Sequence, residues 1–172
     1  MNHPYAHIAI LGAGESGMGA AYLASVVGVR AFLSNAKALT AAQRAQLADW
    51  GVEFEEGGHT AERLLEADAI VKSPGIPHSA PLIQELKRAG KVIHGEVDWA
   101  AHYTNAVLVA ITGSNGKTTT ATWTHHIISA EKDCVLAGNV GTSLARALAQ
   151  RLEANEPDPE VIVLEMSSFQ LD

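Results

Sequence analysis

Ile8-Ala9-Ile10-Leu11-Gly12-Ala13-Gly14-Glu15-Ser16-Gly17-Met18-Gly19 is the stretch that decides the fold. Four apolar residues with no polar break read as a strand buried on both faces. They run into Gly-x-Gly-x-x-Gly, and the alanine-rich residues 16–28 that follow read as a helix. The glycines permit a tight turn and close backbone approach, and the helix N-terminus offers unbonded N–H groups to an anion. Gly14, Ser16, Gly17, Met18 and Gly19 are therefore candidate phosphate contacts.

The same rhythm extends outward. Strands are expected at 29–33, 52–54, 69–71 and 91–94, and helices at 40–50, 60–66 and 79–89. Thr40 and Ser79 read as N-caps, Pro81 suits a first turn, and Gly90 closes the third of these helices. Around His102-Tyr103-Thr104-Asn105 the pattern restarts. A strand at 106–111 leads into a second glycine loop and helix, then come a strand at 134–137, a helix at 142–152 and a strand at 161–165. The expected fold is α/β, with a Rossmann-like parallel-sheet domain over residues 1–104. Residues 105–172 read as the start of a P-loop NTPase α/β domain.

Composition narrows the function. The chain has 172 residues, is 47% hydrophobic and 18% charged, and carries a net charge of -7. An acidic chain is poorly suited to nucleic acid or an anionic membrane, so any phosphate is held by local amide dipoles and a few cations. A single cysteine, Cys134, gives no disulfide framework. The first residues lack a basic n-region, and no apolar run approaches the roughly 18 residues of a bilayer span. The expectation is a soluble cytoplasmic protein.

Two departures sharpen the ligand reading. A nicotinamide dinucleotide site calls for an acid at the end of the second strand, but Ser34-Asn35 stands there. Ser34 and Asn35 offer neutral hydrogen bonds to a different base. The second loop, Thr112-Gly113-Ser114-Asn115-Gly116-Lys117-Thr118-Thr119, is a P-loop in substance, although Ile111 replaces its first glycine. Gly113, Ser114, Asn115, Gly116, Thr119 and their neighbours would cradle the phosphates of ATP. Lys117 reaches the β/γ-phosphates and Thr118 ligates Mg²⁺. Glu165, ending an apolar strand, supplies a second anionic group for the metal. His125 and His126 are adjacent on a helix and face different directions, which argues against a shared metal.

These residues resemble the Mur ligases of peptidoglycan synthesis. The marks are residues 12–19, Ser73-Pro74-Gly75-Ile76-Pro77, the second glycine loop, Gly138-Asn139-Val140-Gly141, and Glu165-Met166-Ser167-Ser168-Phe169-Gln170-Leu171. The resemblance covers essentially the whole chain, and the last run is its most specific sign. It implies an enzyme whose first domain binds the UDP part of the substrate, whose central domain binds ATP and whose last domain binds the incoming amino acid. The implied reaction joins D-glutamate to UDP-N-acetylmuramoyl-L-alanine through an acyl phosphate, with ATP and Mg²⁺ as cofactors. Residues 16–19 would hold the diphosphate, and Ser34, Asn35, Ser73, Pro74 and Gly75 would approach the uridine. Lys117, Asn139 and Ser167 would act on the phosphates and the reacting carboxylate, and Glu165 would hold Mg²⁺. The family often carries an aspartate near Ser34–Asn35 for the uracil, and this chain has none.

Other readings stay open: a Rossmann-type NAD(P)-binding module, and a ligase of the folylpolyglutamate type sharing only the P-loop core. The second sheet stops soon after Glu165, so the chain reads as an N-terminal fragment. Residues 1–104 are expected to fold alone. The full-length protein is expected to be a monomer, and the fragment inactive and prone to self-association through an exposed sheet edge.

Overall fold

The computed structural model describes residues 4–167. Five parallel strands form a first sheet: β1 (His7–Leu11), β2 (Arg30–Asn35), β3 (Glu53–Glu56), β4 (Ala69–Lys72) and β5 (Val92–Gly95), in the order β3-β2-β1-β4-β5. Ile10 of the central strand pairs with Leu33 on one side and Val71 on the other. Its two faces feed two cores. Ile8 and Ile10 enter the larger one, while Ala9 and Leu11 pack with Phe32, Leu64, Ile70, Ile83 and Leu86. A strand covered on both sides needs no polar alternation, which is why residues 8–11 are uniformly apolar.

Helices α1 (Glu15–Val27), α2 (Ala41–Asp49) and α5 (Glu96–Ala100) contribute to the larger core, and α3 (Ala61–Glu66) and α4 (Pro81–Arg88) to the smaller. Thr40 caps α2 in a reciprocal capping box with Gln43. The start of α4 differs from expectation: its N-cap is Ala80, not Ser79, because the fixed φ of Pro81 begins the helix there. Helix α5 went unread, since five residues are too few to show a helical period. Gly95 is its N-cap, and Asp98 accepts the Gly95 N–H at 3.3 Å.

A second parallel sheet holds β6 (Val107–Ile111), β7 (Cys134–Gly138) and β8 (Val161–Glu165), in the order β6-β8-β7, with helices α6 (Lys117–Ile128) and α7 (Leu144–Glu153). The segment joining the sheets is pinned by Asp158, which accepts from the Thr104 hydroxyl and the Asn105 N–H, both at 2.6 Å. Trp123 and Ile127 on α6 are exposed, as is Val107 on the edge strand.

The two sheets share one core. Leu144, Ala145 and Leu148 of α7 pack together with Ala20, Leu23 and Ala24 of α1, Trp99 of α5, and Ile162 and Leu164 of β8. A Cβ on Gly19 would lie 2.1 Å from Ser143 Oγ and 3.2 Å from the Arg146 amide nitrogen, so only glycine admits α7 this close to α1. Two carboxylates from the first sheet's helices fasten the start of α7. Glu96, 2% exposed, accepts the Ala145 N–H at 2.6 Å. Glu15 accepts from the Ser143 N–H and hydroxyl at 3.3 Å and from Arg146 Nε at 2.6 Å. The expectation that residues 1–104 stand as a separate unit therefore meets a core that α7 completes.

Candidate functional site

The order of the first sheet reverses direction at β1 and β4, the position where open parallel sheets place a ligand beyond their C-terminal ends. Gly12 and Ser73 meet there. Gly12 has φ +93°, donates its N–H to Ser34 O at 2.9 Å, and would put a Cβ 2.7 Å from Ser73 Oγ. Ser73 Oγ is itself buried with no hydrogen-bond partner. The second glycine, Gly14, is the N-cap of α1, and a Cβ there would meet nothing within 4 Å. Its surroundings are open on the side an anion would approach. The third, Gly17, is filled from behind: a Cβ would fall 1.9 Å from Gly12 O.

The loop's other candidates sort by geometry. Ser16, Gly17 and Glu15 lie in the first turn, where helical N–H groups have no intrahelical acceptor. Met18 and Gly19 are buried. The Met18 N–H donates to Gly14 O at 2.9 Å with its side chain buried, and Gly19 faces Ser143. Ser34 and Asn35 are also diverted. The wholly buried Ser34 hydroxyl donates to Glu55 Oε1 and lies 2.6 Å from His59 Nδ1. Asn35 accepts the Ala13 N–H at 3.0 Å and donates to Lys37 O at 2.7 Å, so it braces the glycine turn instead of reaching a base. Pro74 and Gly75 follow Ser73 on the loop, with Gly75 exposed.

Sequence reading missed Glu55 and His59. Burial pushes the Glu55 carboxyl up, but the Ser34 hydroxyl and the Thr60 N–H bring it below its ordinary value. An acid therefore lies beside the end of β2 after all, supplied by β3. Nothing in the β2 residues signals it, because the link is a lateral one between parallel strands.

The second loop joins β6 to α6. Gly113 (φ +151°) and Gly116 (φ +75°) take backbone angles that other residues rarely adopt. Residues 113–116, Thr118 and Thr119 are exposed. Lys117 folds back over the loop and donates to Gly113 O at 2.7 Å. The Thr118 hydroxyl donates to Glu165 Oε2 at 2.8 Å, which joins the start of α6 to the end of β8. Glu165 is 5% exposed. Gly138 lets β7 approach: a Cβ there would stand 2.2 Å from Glu165 O, the same carbonyl that accepts the Asn139 N–H at 2.9 Å. Lys117, Thr118, Asn139 and Glu165 thus gather at the C-terminal ends of three adjacent strands. Two oxygens in contact, one a carboxylate, suit a hard divalent cation. Among the described residues no cluster of three His, Cys, Asp or Glu side chains forms a metal site. Ser167 is half-buried two residues beyond Glu165, and the rest of the Glu165-to-Leu171 run lies outside the described residues. No helix among those residues is long and apolar enough to cross a membrane.

Known proteins carry the same pattern. Residues 7–81 match the MurD N-terminal domain family, and residues 111–172 match the Mur ligase middle domain family. A protein named UDP-N-acetylmuramoylalanine--D-glutamate ligase from Bacteroides fragilis is 48% identical over 166 residues, and one of the same name from Porphyromonas gingivalis is 46% identical. Each alignment covers 96% of this chain, which spans only 36% of the relative's length. Among solved structures, a murein peptide ligase from Psychrobacter arcticus aligns with a TM-score of 0.59 at 21% identity, over 95% of this chain and 39% of that one. The UDP-N-acetylmuramate-alanine ligase of Thermotoga maritima aligns with a TM-score of 0.55, also at 21% identity, over 94% of this chain and 37% of that one. At that identity the structures speak for the fold alone. With domain matches on both sheets and close relatives along nearly its whole length, the chain belongs to the Mur ligase family.

Proposed function

We propose that this chain is the nucleotide-gripping part of an ATP-dependent amide-bond ligase that adds D-glutamate to UDP-N-acetylmuramoyl-L-alanine in the cytoplasm. The observation that carries the reading is the 2.8 Å contact between Thr118 and Glu165, which brings a P-loop hydroxyl and a strand-end carboxylate to one point. In this reading residues 1–104 serve the UDP-linked substrate and residues 105–172 begin the ATP-binding domain. Gly14, Ser16 and Gly17 hold the diphosphate at the α1 N-terminus, with Ser73, Pro74 and Gly75 forming the opposite lip. The amides of residues 113–119 and the Lys117 ammonium hold the ATP phosphates. Thr118 and Glu165 would hold Mg²⁺, which neutralises phosphate charge when bound. Asn139 and Ser167 orient the substrate carboxylate toward the phosphates, so this part of the chain contributes positioning and charge compensation. The amine of D-glutamate then displaces phosphate from the activated carboxylate.

Calorimetric titration with UDP-N-acetylmuramoyl-L-alanine, ATP–Mg²⁺ and NADH tests the reading. Binding of the first two is expected. Tight NADH binding without a response to the UDP-sugar would refute it in favour of a dinucleotide module. An ATP response alone would favour a folylpolyglutamate-type ligase. The 172-residue chain by itself is expected to show no D-glutamate-dependent ADP release. The exposed Trp123, Ile127 and Val107 favour self-association with a second copy, checked by sedimentation over a concentration series.

A further inference from the structure

Glu15 has the wrong charge for the ligand its loop is proposed to hold. It lies in the first turn of α1, where free N–H groups attract an anion and a carboxylate repels one. Its carboxylate is engaged instead by the second half of the chain. Oε1 accepts from Arg146 Nε at 2.6 Å and from the Ser143 N–H and hydroxyl at 3.3 Å. Arg146 therefore offsets a charge that would otherwise face an incoming phosphate.

Ser143 ends a short loop that begins at Gly138, and this loop carries Asn139. The Gly138 N–H donates to Thr142 O at 2.9 Å, and Ala137 bridges to Thr142. The Asn139 N–H donates to Glu165 O at 2.9 Å, and Gly141, with φ +78°, turns the chain back. At the far end Ser143 is 2% exposed and caps α7, accepting the Arg146 N–H at 3.3 Å while its hydroxyl donates to Glu15. A loop this short, tied at both ends, has little freedom of its own. What fixes Ser143 also fixes Asn139, four residues earlier.

We infer that Glu15 is a positioning residue. Together with Ser143 and Arg146 it sets the span between the turn at Gly14–Gly17 and the loop that carries Asn139. It thereby favours a nucleoside diphosphate with an extension that reaches Asn139 over the nucleotide alone. This role rests on the proposed assignment of those two loops to the diphosphate and to the muramoyl end of one substrate. A side chain that served only the fold would affect short and long ligands alike. A spacer affects only the ligand long enough to touch both loops. Arg146 has a second effect, because its loss leaves the Glu15 charge uncompensated beside the diphosphate.

The test is calorimetric titration of the intact 172-residue chain with UDP and, separately, with UDP-N-acetylmuramoyl-L-alanine. The quantity read is the ratio of the two dissociation constants. Glu15→Ala is expected to lower the preference for the longer ligand at least about tenfold without weakening UDP. Glu15→Gln, whose amide oxygen still accepts from Ser143 and Arg146, keeps most of the preference. Arg146→Ala is expected to lower the preference too, and to weaken UDP about threefold. Adding Glu15→Ala to Arg146→Ala restores UDP binding, a reversal that general loosening of the fold would not produce. Glu15 is half-exposed, so its truncation leaves the core between α1 and α7 intact, and Arg146→Ala attacks the same clasp from the other side. An unchanged preference in Glu15→Ala, an equal loss of both ligands, or no recovery of UDP in the double variant would overturn the role. A wild-type chain that fails to bind UDP refutes the nucleotide reading itself. One that binds UDP with no preference for the longer ligand overturns the role of Glu15 and leaves the diphosphate site standing.

Discussion

Replacing Glu96 by glutamine is expected to flatten the fall of stability with pH. Burial pushes the Glu96 carboxyl up from its ordinary 4.5 to about 7; the Ala145 N–H works against that shift, and Glu15 and Asp98 add to it. A folded value above the unfolded one means the native state holds the proton that the unfolded state gives up. The stability this represents is fully present below about 4.5, declines as pH rises, and is gone above about 7. The penalty is about 1 kcal/mol at pH 5 and about 3 kcal/mol at pH 8, a difference of roughly 2–3 kcal/mol. Glutamine keeps an oxygen for the Ala145 N–H and cannot ionise. Urea unfolding at pH 5 and pH 8 measures both proteins, and the difference of differences cancels the titrating groups remote from Glu96 and any fixed cost of the amide. The substitution is expected to recover roughly 2–3 kcal/mol over that interval, equivalent to roughly 5–10 °C in Tm for a chain of this size. Parallel pH curves for the two proteins would refute the reasoning, and so would a steeper decline in the variant.

Three further outcomes follow from the geometry. Gly19→Ala places a methyl 2.1 Å from Ser143 Oγ and is expected to cost about 1–3 kcal/mol in urea unfolding, since the hydroxyl that caps α7 must move; an unchanged midpoint would show that the helices separate freely. Thr118→Val removes the contact to Glu165 and is expected to weaken ATP at least about tenfold with Mg²⁺ present, but little in EDTA, by calorimetry; equal losses in both conditions would deny Thr118 a metal role. Asn35→Ala frees the Ala13 N–H and is expected to weaken UDP binding through a loosened turn while leaving ATP unaffected; UDP affinity equal to wild type would remove Asn35 from that role.

Much of this architecture is local and so was legible. Uniformly apolar runs at 8–11 and 161–164 mark strands covered on both sides, and Thr40 with Gln43 signals a helix start within four residues. The contact between Thr118 and Glu165 was also foreseeable, because both end up at the C-terminal edge of one parallel sheet. What stayed hidden is lateral. Glu55 reaches Ser34 from the neighbouring strand, and Glu15 and Glu96 reach the start of α7 from far earlier in the chain. Such links depend on which helix lands beside which, and no spacing within a segment encodes that. The surroundings of Gly19 were hidden for a related reason: the glycine pattern describes the turn, while the partner that crowds Gly19 belongs to a helix more than a hundred residues away.

The placement of α7 against α1 also bears on the order in which the protein acquires its shape during synthesis. The ribosome releases all five strands of the first sheet while Leu144–Glu153 is still untranslated. At typical rates the interval from residue 104 to residue 144 lasts roughly 2–8 s. Over that interval Ala20, Leu23 and Ala24 lack their later partners, and Glu96 has no Ala145 amide to receive it. The nascent first sheet therefore carries an uncovered apolar face until a helix from the second sheet arrives to close it.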